Sequence, residues 1–144
     1  MKRNLPILMY HHVVPADEVA AHAPFSVSHQ LFARQLDWLQ QWGFQTVSLS
    51  DLFDSQGILK RWNPKKKPVV ITFDDCPASL LDFAVSELKR RGMTATFFAV
   101  AGKDGGRNDW DAHLGTQQTR LMNAGELRKL AEQGFEIGSH SFSH

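Results

Sequence analysis

Three times along this chain, a helical pattern ends at a glycine and a short apolar segment follows directly. The glycines are Gly43, Gly92 and Gly134. A glycine after the last helical turn takes the left-handed conformation that closes a helix at little cost. Helices that alternate with short apolar strands are typical of βα units with a parallel sheet. We therefore predict an α/β fold.

The elements around these glycines can be placed from local signals. Ser28 is expected to cap the first helix, and Pro77 is expected at the first position of the second. Asn123 and Glu126 are expected to form a capping pair at the third. Strands are expected near residues 7–10, 44–48, 69–73, 95–100 and 135–139.

Two carboxylates follow the most apolar of these strands. Asp74 and Asp75 come directly after residues 69–73, Val-Val-Ile-Thr-Phe. Unpaired buried carboxylates lose several kcal/mol of solvation, so a metal, another cation or solvent must lie nearby. Successive strand side chains point to opposite faces, so we expect the two aspartates to have separate roles unless the backbone turns there.

Two histidines follow the last strand. His140 and His144 are four residues apart, which places both rings on one face if the segment is helical. Two imidazoles with one carboxylate leave open positions on a metal, as catalytic sites do. Taken alone, each pair has a plainer interpretation, a turn or cap for the aspartates and an exposed surface for the histidines. Their position at predicted strand ends favours a site.

The two motifs together resemble a known family. Thr72-Phe73-Asp74-Asp75 followed by His140-Ser141-Phe142-Ser143-His144 resembles the first two motifs of the polysaccharide deacetylases, carbohydrate esterase family four, also called the NodB-homology domain. The segments Leu8-Met9-Tyr10-His11-His12 and Phe25-Ser26-Val27-Ser28 resemble the subgroup of poly-N-acetylglucosamine deacetylases. The resemblance extends over nearly the whole chain.

The resemblance implies a role for each site residue. Asp74 takes the position of the catalytic base, and the positions of the metal ligands fall on Asp75, His140 and His144. The implied cofactor is a divalent metal, and zinc is expected. In that family, a water activated by the metal and the base attacks the acetamide carbonyl of an N-acetylated sugar. A metal supports this chemistry because it acidifies water and polarises the carbonyl without a protein nucleophile.

Two departures from the family pattern affect the predictions. Cys76 stands where the family has glycine. We expect an ordinary β conformation for it before Pro77. The alternatives are that Cys76 ligates the metal, that it slows or inhibits the enzyme, or that it makes the enzyme sensitive to oxidation. The later family motifs, which supply an arginine beside the base, oxyanion donors and a histidine acid, are not found in these 144 residues.

The resemblance also implies a distorted (β/α) barrel with parallel strands. Such a barrel needs about 250 residues. We therefore expect residues 1–144 to form its amino-terminal part, an incomplete NodB-homology domain without the carboxyl-terminal part. An open sheet edge would follow, and with it a tendency to self-associate.

Composition limits the partners. A net charge of +1 gives no electrostatic case for nucleic acid, and no apolar run reaches the length of a transmembrane helix. The residues after Met1 are interpreted as the first strand rather than an export signal, so a cytoplasmic location is the default. An envelope or exported location is expected instead if a leader has been trimmed.

Three further positions carry weaker expectations. His11, at the end of the first strand, is expected to hold a metal ligand or Asp74 by a hydrogen bond, or else to be an ordinary structural histidine. His22 is expected to face solvent. Trp110, in the long segment 102–118, is expected either to stack on a sugar or to anchor that loop.

We predict, on this basis, a metal-dependent hydrolase that removes N-acetyl groups from a glycan containing N-acetylglucosamine and releases acetate. One alternative is a related hydrolase of another amide or of an acetate ester. The other is a catalytically silent scaffold that binds a metal or a glycan, which Cys76 and the missing motifs favour.

Overall fold

A computed structural model describes residues 5–57 and 67–144. The strands are β1 (Ile7–Tyr10), β2 (His12–Val14), β3 (Ser26–Ser28), β4 (Phe44–Thr46), β5 (Lys67–Asp75), β6 (Thr96–Ala99) and β7 (Glu136–Ser139). The α-helices are α1 (His29–Gln41), α2 (Ala84–Arg90) and α3 (Ala124–Glu132). Short 3-10 turns cover Val19–His22, Ser50–Leu52, Ala78–Leu81 and Asp109–Leu114.

The long strand β5 lies at the centre of a five-stranded parallel sheet. Its carboxyl-terminal half pairs with β1 on one side and β6 on the other, and β7 pairs with β6. β4 pairs with the first residues of β5. A separate two-stranded parallel sheet joins β2 and β3. The predicted α/β fold with parallel strands is confirmed, and the carboxyl ends of β1, β5, β6 and β7 meet at one edge.

The helix signals that the sequence predicted are mostly present. The side chain of Ser28 accepts a hydrogen bond from the Leu31 N–H at 3.2 Å and caps α1. Asn123 and Glu126 form a reciprocal capping box at the start of α3, with both hydrogen bonds at 2.9 Å. The glycines that close the three helices, Gly43, Gly92 and Gly134, have φ of +74°, +63° and +89°.

The start of the second helix was predicted wrongly. Pro77 is extended, with φ −57° and ψ 136°, and pairs with Leu121 in an isolated antiparallel bridge. A 3-10 turn follows it, and α2 begins only at Ala84. The fixed φ of proline suits an extended residue as well as a helical one. The backbone turn at residues 75–76 directs the chain toward Leu121, so the helix begins later.

The two faces of the sheet have different surroundings. Val69, Ile71 and Phe73 of β5 are fully buried in one core cluster. Buried side chains of the helices complete that cluster, among them Phe32, Leu36, Val85, Leu88 and Leu130. On the opposite face, Ile7 and Met9 of β1 are 53% and 62% exposed. The sheet therefore has one packed face and one face that is open at β1, although Val70 and Thr72 of β5 are buried there.

Three aromatic rings cross the strands directly below the carboxyl edge. Phe73 stacks on Phe97 of β6 with ring centroids 4.8 Å apart, and on Tyr10 of β1 at 5.6 Å. The Tyr10 hydroxyl donates to Gln35 Oε1 of α1 at 2.9 Å. This aromatic row fixes the register of β1, β5 and β6 just before the residues that follow them at the edge.

Among the described residues, no helix combines the length and the apolar character needed to cross a membrane.

His22 does not face solvent as predicted, because it packs against His12. Both residues are buried, at 3% and 5% exposed, and their rings stack with centroids 4.6 Å apart. The Nδ1 atoms of both have no hydrogen-bond partner in the described part of the chain. Burial, with smaller effects from His22 and His11, lowers the pKa of His12 to about 4.

We expect this pair to make the fold sensitive to mild acid. His12 has a folded pKa of about 4 and an unfolded pKa of about 6.5, so its neutral form stabilises the protein above pH 6.5. That contribution, about 3 kcal/mol at most, is lost as the pH falls from 6.5 to 4. Urea unfolding across this range should show a shallower loss for His12→Phe than for wild type. The exposed His113→Gln serves as control, and equal slopes for all three proteins would contradict the assignment.

Candidate metal centre

Four of the predicted site residues meet at the carboxyl edge of the sheet. Asp74 and Asp75 end β5, and His140 follows β7. The His140 N–H donates to the Ala99 carbonyl at the end of β6 at 2.8 Å, which continues the sheet by one residue. His144 returns to the same place at the end of the chain. The strand order therefore brings together two motifs that are 65 residues apart in sequence.

The backbone turns sharply between the two aspartates. Asp75 and Cys76 have φ of +65° and +55°, and the Cys76 N–H donates to the Asp74 carbonyl at 2.8 Å. This i→i+2 hydrogen bond around a residue of positive φ is the rarer, strained kind of γ-turn. Residues other than glycine that are held in such conformations concentrate at functional sites. The turn separates the directions of the two carboxylates.

The Asp75 carboxylate is buried and incompletely paired. The residue is 4% exposed, and its Oδ1 has no hydrogen-bond partner among the described residues. Burial raises the pKa of Asp75 above its usual range. Three imidazoles oppose that effect, in the order His11, His144, His140. A buried acceptor in this state is costly, and a bound cation is the direct way to compensate it.

The two histidines complete a set of donors that fits a metal. His140 Nε2 and His144 Nε2 each lie 3.5 Å from Asp75 Oδ1, and the three donor atoms lie within 4.8 Å of one another. Ligand atoms about 2.05 Å from a tetrahedral metal are about 3.4 Å apart. The spacing therefore fits zinc or a similar ion, and three protein ligands leave a position open.

The histidine segment is not helical, although helical spacing suggested that it could be. Ser141 has φ +62°, and its carbonyl accepts from the Ala101 N–H at 3.0 Å. The next carbonyl, of Phe142, accepts from the Gly102 N–H at 2.8 Å. The His144 N–H then donates to Ser141 Oγ at 2.9 Å. A turn tied to the end of β6 thus replaces a helix in bringing the rings together.

Asp74 occupies a different environment from Asp75. It is half-buried and lines a cleft of about 360 Å³ on the open face of the sheet. The cleft is also lined by Met9, Phe98 and His140. Since His140 borders both the cleft and the donor cluster, Asp74 is adjacent to the metal centre without belonging to it. The two aspartates therefore have different environments, and their separate roles stay a prediction.

His11 is close enough to the site to influence Asp75 without a hydrogen bond to it. It follows β1, is half-buried and contacts the Phe25 ring, with centroids 5.3 Å apart. In the described part of the chain, no hydrogen bond joins His11 to Asp74 or to a metal-ligand candidate, so the expected hydrogen bond is not formed. Its charge nevertheless lowers the pKa of Asp75 more than that of His140 or His144 does.

Cys76 is a core residue in a strained backbone. Its φ of +55° overturns the β conformation predicted for it. The side chain is 1% exposed, and burial, followed by the charges of Asp75 and Asp74, raises the pKa of the thiol. A protonated, inaccessible thiol is a poor ligand and a poor target for oxidants. The metal-donor cluster found among the described residues does not include it.

The strain at Cys76 predicts an unusual order of stability for small substitutions. Cys76→Ala and Cys76→Gly both lose the buried sulfur, but only glycine relieves the left-handed backbone, which costs a residue with a side chain about 1–2 kcal/mol. We expect the glycine variant to be more stable than the alanine variant by about 1 kcal/mol. Chemical denaturation of the two proteins measures this difference. A more stable alanine variant, the usual order in strands and helices, would contradict the strained conformation.

Two contacts at the centre were not predicted from sequence. The indole of Trp110 stacks on the His144 imidazole, with centroids 4.4 Å apart and planes 10° apart. A Cβ at Gly102 would lie 2.5 Å from the Phe142 carbonyl oxygen. The sequence predicted a sugar contact or a loop anchor for Trp110. No sequence pattern links Trp110 to His144, which is 34 residues away. Gly102 has no positive φ, so its need for glycine is visible only in the packing.

Comparison with known proteins places this centre in a family. Residues 61–144 match the sequence profile of the family described as polysaccharide deacetylase. The match covers more than half of the chain and includes both aspartates and both histidines of the centre. The chain belongs to the polysaccharide deacetylase family. The resemblance inferred from the two motifs is thereby confirmed.

Three individual proteins are similar to this chain over more than half of its length. YxkH of Bacillus subtilis (strain 168), provisionally named a polysaccharide deacetylase, is 29% identical over 141 residues, which are 98% of this chain and 43% of YxkH. PgdA of Listeria monocytogenes, named a peptidoglycan-N-acetylglucosamine deacetylase, is 30% identical over 79 residues, 54% of this chain and 14% of PgdA. The structure of IcaB from Ammonifex degensii aligns with a TM-score of 0.73 at 26% identity and covers 96% of this chain and 53% of IcaB.

The chain thus spans about half the length of YxkH and of IcaB, two proteins that it matches over most of its own length.

Proposed function

We propose that this chain carries the base and the metal ligands of a hydrolase that removes N-acetyl groups from a glycan containing N-acetylglucosamine. The observation that supports this most directly is the donor cluster of Asp75, His140 and His144, with each histidine Nε2 3.5 Å from the carboxylate, beside the free side chain of Asp74. Deacetylation of this kind yields acetate and a free amine on the sugar.

The three clustered residues would hold a divalent ion, and zinc matches their nitrogen and oxygen donors. When bound, such an ion supplies Lewis-acid polarisation of a carbonyl and lowers the pKa of water. Asp75 contributes a buried carboxylate whose Oδ1 has no hydrogen-bond partner among the described residues. His140 and His144 contribute imidazole nitrogens on the solvent side of that carboxylate, since their side chains are 34% and 32% exposed.

Asp74 is the general base in this proposal. Its carboxylate opens into the cleft rather than into the donor cluster, so it is free to accept a proton from water at the edge of the centre. The neighbouring apolar side chains of Met9 and Phe98 limit the number of competing waters. His11 lies near the same carboxylates but outside the donor cluster, which leaves it for orienting groups or for proton transfer.

The relatives and the chemistry of the centre support this substrate class. PgdA is named for N-acetylglucosamine in peptidoglycan. An N-acetylated glucosamine presents an amide carbonyl that needs polarisation and a water that needs deprotonation, and the proposed residues serve those two tasks. An acetate ester makes similar demands, so amide and ester substrates must be compared directly.

Acetate release tests this function. The complete protein that carries these residues is loaded with zinc and incubated with N-acetylglucosamine oligomers and, separately, with acetylated xylan. We expect acetate from the amide substrate, loss of that activity with a chelator, and recovery when zinc is restored. Acetate from xylan alone would replace the proposal with an esterase. Stoichiometric zinc binding without acetate from either substrate would replace it with a silent metal-binding scaffold.

A further inference from the structure

The two histidines of the centre are held by different means. His140 continues β7, and its backbone is bonded to Ala99 of β6. His144 lies five residues beyond the last strand, with a backbone φ of +81° and a backbone hydrogen bond to Ser141 Oγ. Apart from the 3.5 Å approach to Asp75, no polar contact in the described part of the chain orients its imidazole. Something else must set the direction of that ring.

The contact that does so is the indole of Trp110. Its plane lies 10° from that of the His144 imidazole with centroids 4.4 Å apart, whereas His140 meets the same ring edge-on at 5.1 Å. A parallel stack restrains tilting of the imidazole, and rotation within the common plane is already limited by the bond from the ring to Cβ. Because the Nε2 atom lies in the ring plane, restraining the tilt keeps it directed toward Asp75.

Trp110 can act in this way because its own segment is firmly held. The 3-10 turn Asp109–Leu114 that carries it is flanked by an ion pair, with Lys103 Nζ 2.7 Å from Asp109 Oδ1. The buried side chain of Asn108 accepts from the Thr119 N–H at 2.6 Å. Residues 107 and 120 form an antiparallel bridge across the base of this loop. The indole is thus presented from a closed, internally bonded loop.

We propose that Trp110 is a positioning residue that holds His144 in the orientation required for metal binding. The inference rests on the metal centre of the proposed function and adds to it a residue from a different segment of the chain. Groups that orient a metal-ligating histidine contribute 10- to 100-fold to affinity. A stacking partner acts through geometry rather than through a hydrogen bond, so we expect the lower end of that range.

Zinc affinity, measured by chelator competition on the complete protein, tests the proposal without any assay of turnover. Trp110→Leu is expected to weaken zinc binding about 10-fold, and Trp110→Phe, which keeps an aromatic face, to weaken it less than about 3-fold. Trp38→Leu is the matched control, because Trp38 lies on α1 and is 41% exposed. This substitution is expected to leave zinc affinity unchanged. Thermal unfolding of the metal-free proteins shows whether each variant is folded.

Fluorescence provides a second test that needs no disruptive substitution. The difference between the fluorescence spectra of wild type and Trp110→Phe is the emission of Trp110. Cobalt bound at the centre should quench that difference emission strongly, because the indole contacts a ligand of the ion. Equal zinc affinities for wild type and Trp110→Leu, or unquenched Trp110 emission at saturating cobalt, would overturn the role of Trp110. Failure of the wild-type protein to bind either ion would overturn the metal centre itself.

Discussion

Asp74→Asn is expected to keep zinc affinity and lose turnover, whereas Asp75→Asn should lose zinc affinity. Asp74 lines the cleft and lies outside the donor cluster, so its amide variant should bind zinc normally while kcat falls about 10²- to 10⁴-fold. Asp75 is the single carboxylate of the cluster, so its amide variant should bind zinc at least about 100-fold more weakly. Chelator competition and acetate release, measured on both variants, separate the two effects.

Stability of the metal-free proteins provides the control for this pair. The Asp75 carboxylate is buried with an unpaired oxygen, so the neutral Asp75→Asn should raise the free energy of unfolding of the metal-free protein by about 1 kcal/mol. Asp74→Asn, at a half-buried position, should leave it nearly unchanged. The assignment of roles fails if Asp74→Asn lowers zinc affinity as much as Asp75→Asn does.

Gly102→Ala is expected to disrupt the metal centre from outside it. The added Cβ would meet the Phe142 carbonyl oxygen at 2.5 Å, and that carbonyl is bonded to the Gly102 N–H. The oxygen belongs to the backbone of the turn between the two histidines, so relief of the clash must move the turn. Such overpacking costs about 1–3 kcal/mol. We expect zinc affinity to fall at least about 10-fold, with the circular dichroism spectrum unchanged.

Gly106→Ala, in the same loop, is the matched control. A Cβ there would lie 3.4 Å from the nearest atom, the Lys103 carbonyl oxygen, so a small adjustment accommodates it. Both substitutions add one methyl group at a glycine without a positive φ. If the two variants bind zinc equally well, the Gly102 contact does not hold the histidine turn.

Local chemistry made much of the fold predictable. Ser28, Asn123 and Glu126 cap helices through short-range hydrogen bonds, and such signals are complete within four residues of sequence. Strand alternation predicted different environments for Asp74 and Asp75, and the structure adds a backbone turn at Asp75 that the sequence left open. The parallel order of β5, β6 and β7 follows from βα alternation. Features that depend on residues close together in the sequence can be predicted from the sequence.

The features that were missed depend on contacts between distant segments. The positive φ of Cys76 is imposed by the turn toward Leu121, since cysteine itself has no preference for it. His22 is buried because it packs against His12, a partner that the sequence around His22 does not identify. Trp110 reaches His144 only because the loop carrying it closes on itself. Each required the packed structure.

The aromatic row beneath the sheet edge determines how the site responds to warming and to substitutions in the core. Tyr10 immediately precedes His11, and Phe73 immediately precedes Asp74. Each of these two aromatic residues is therefore joined by a peptide bond to a residue at the site. Any loosening of the row is transmitted to the site within one residue. Warming should therefore misalign the site residues before the chain unfolds, and core substitutions that the fold tolerates should still alter the geometry of the site.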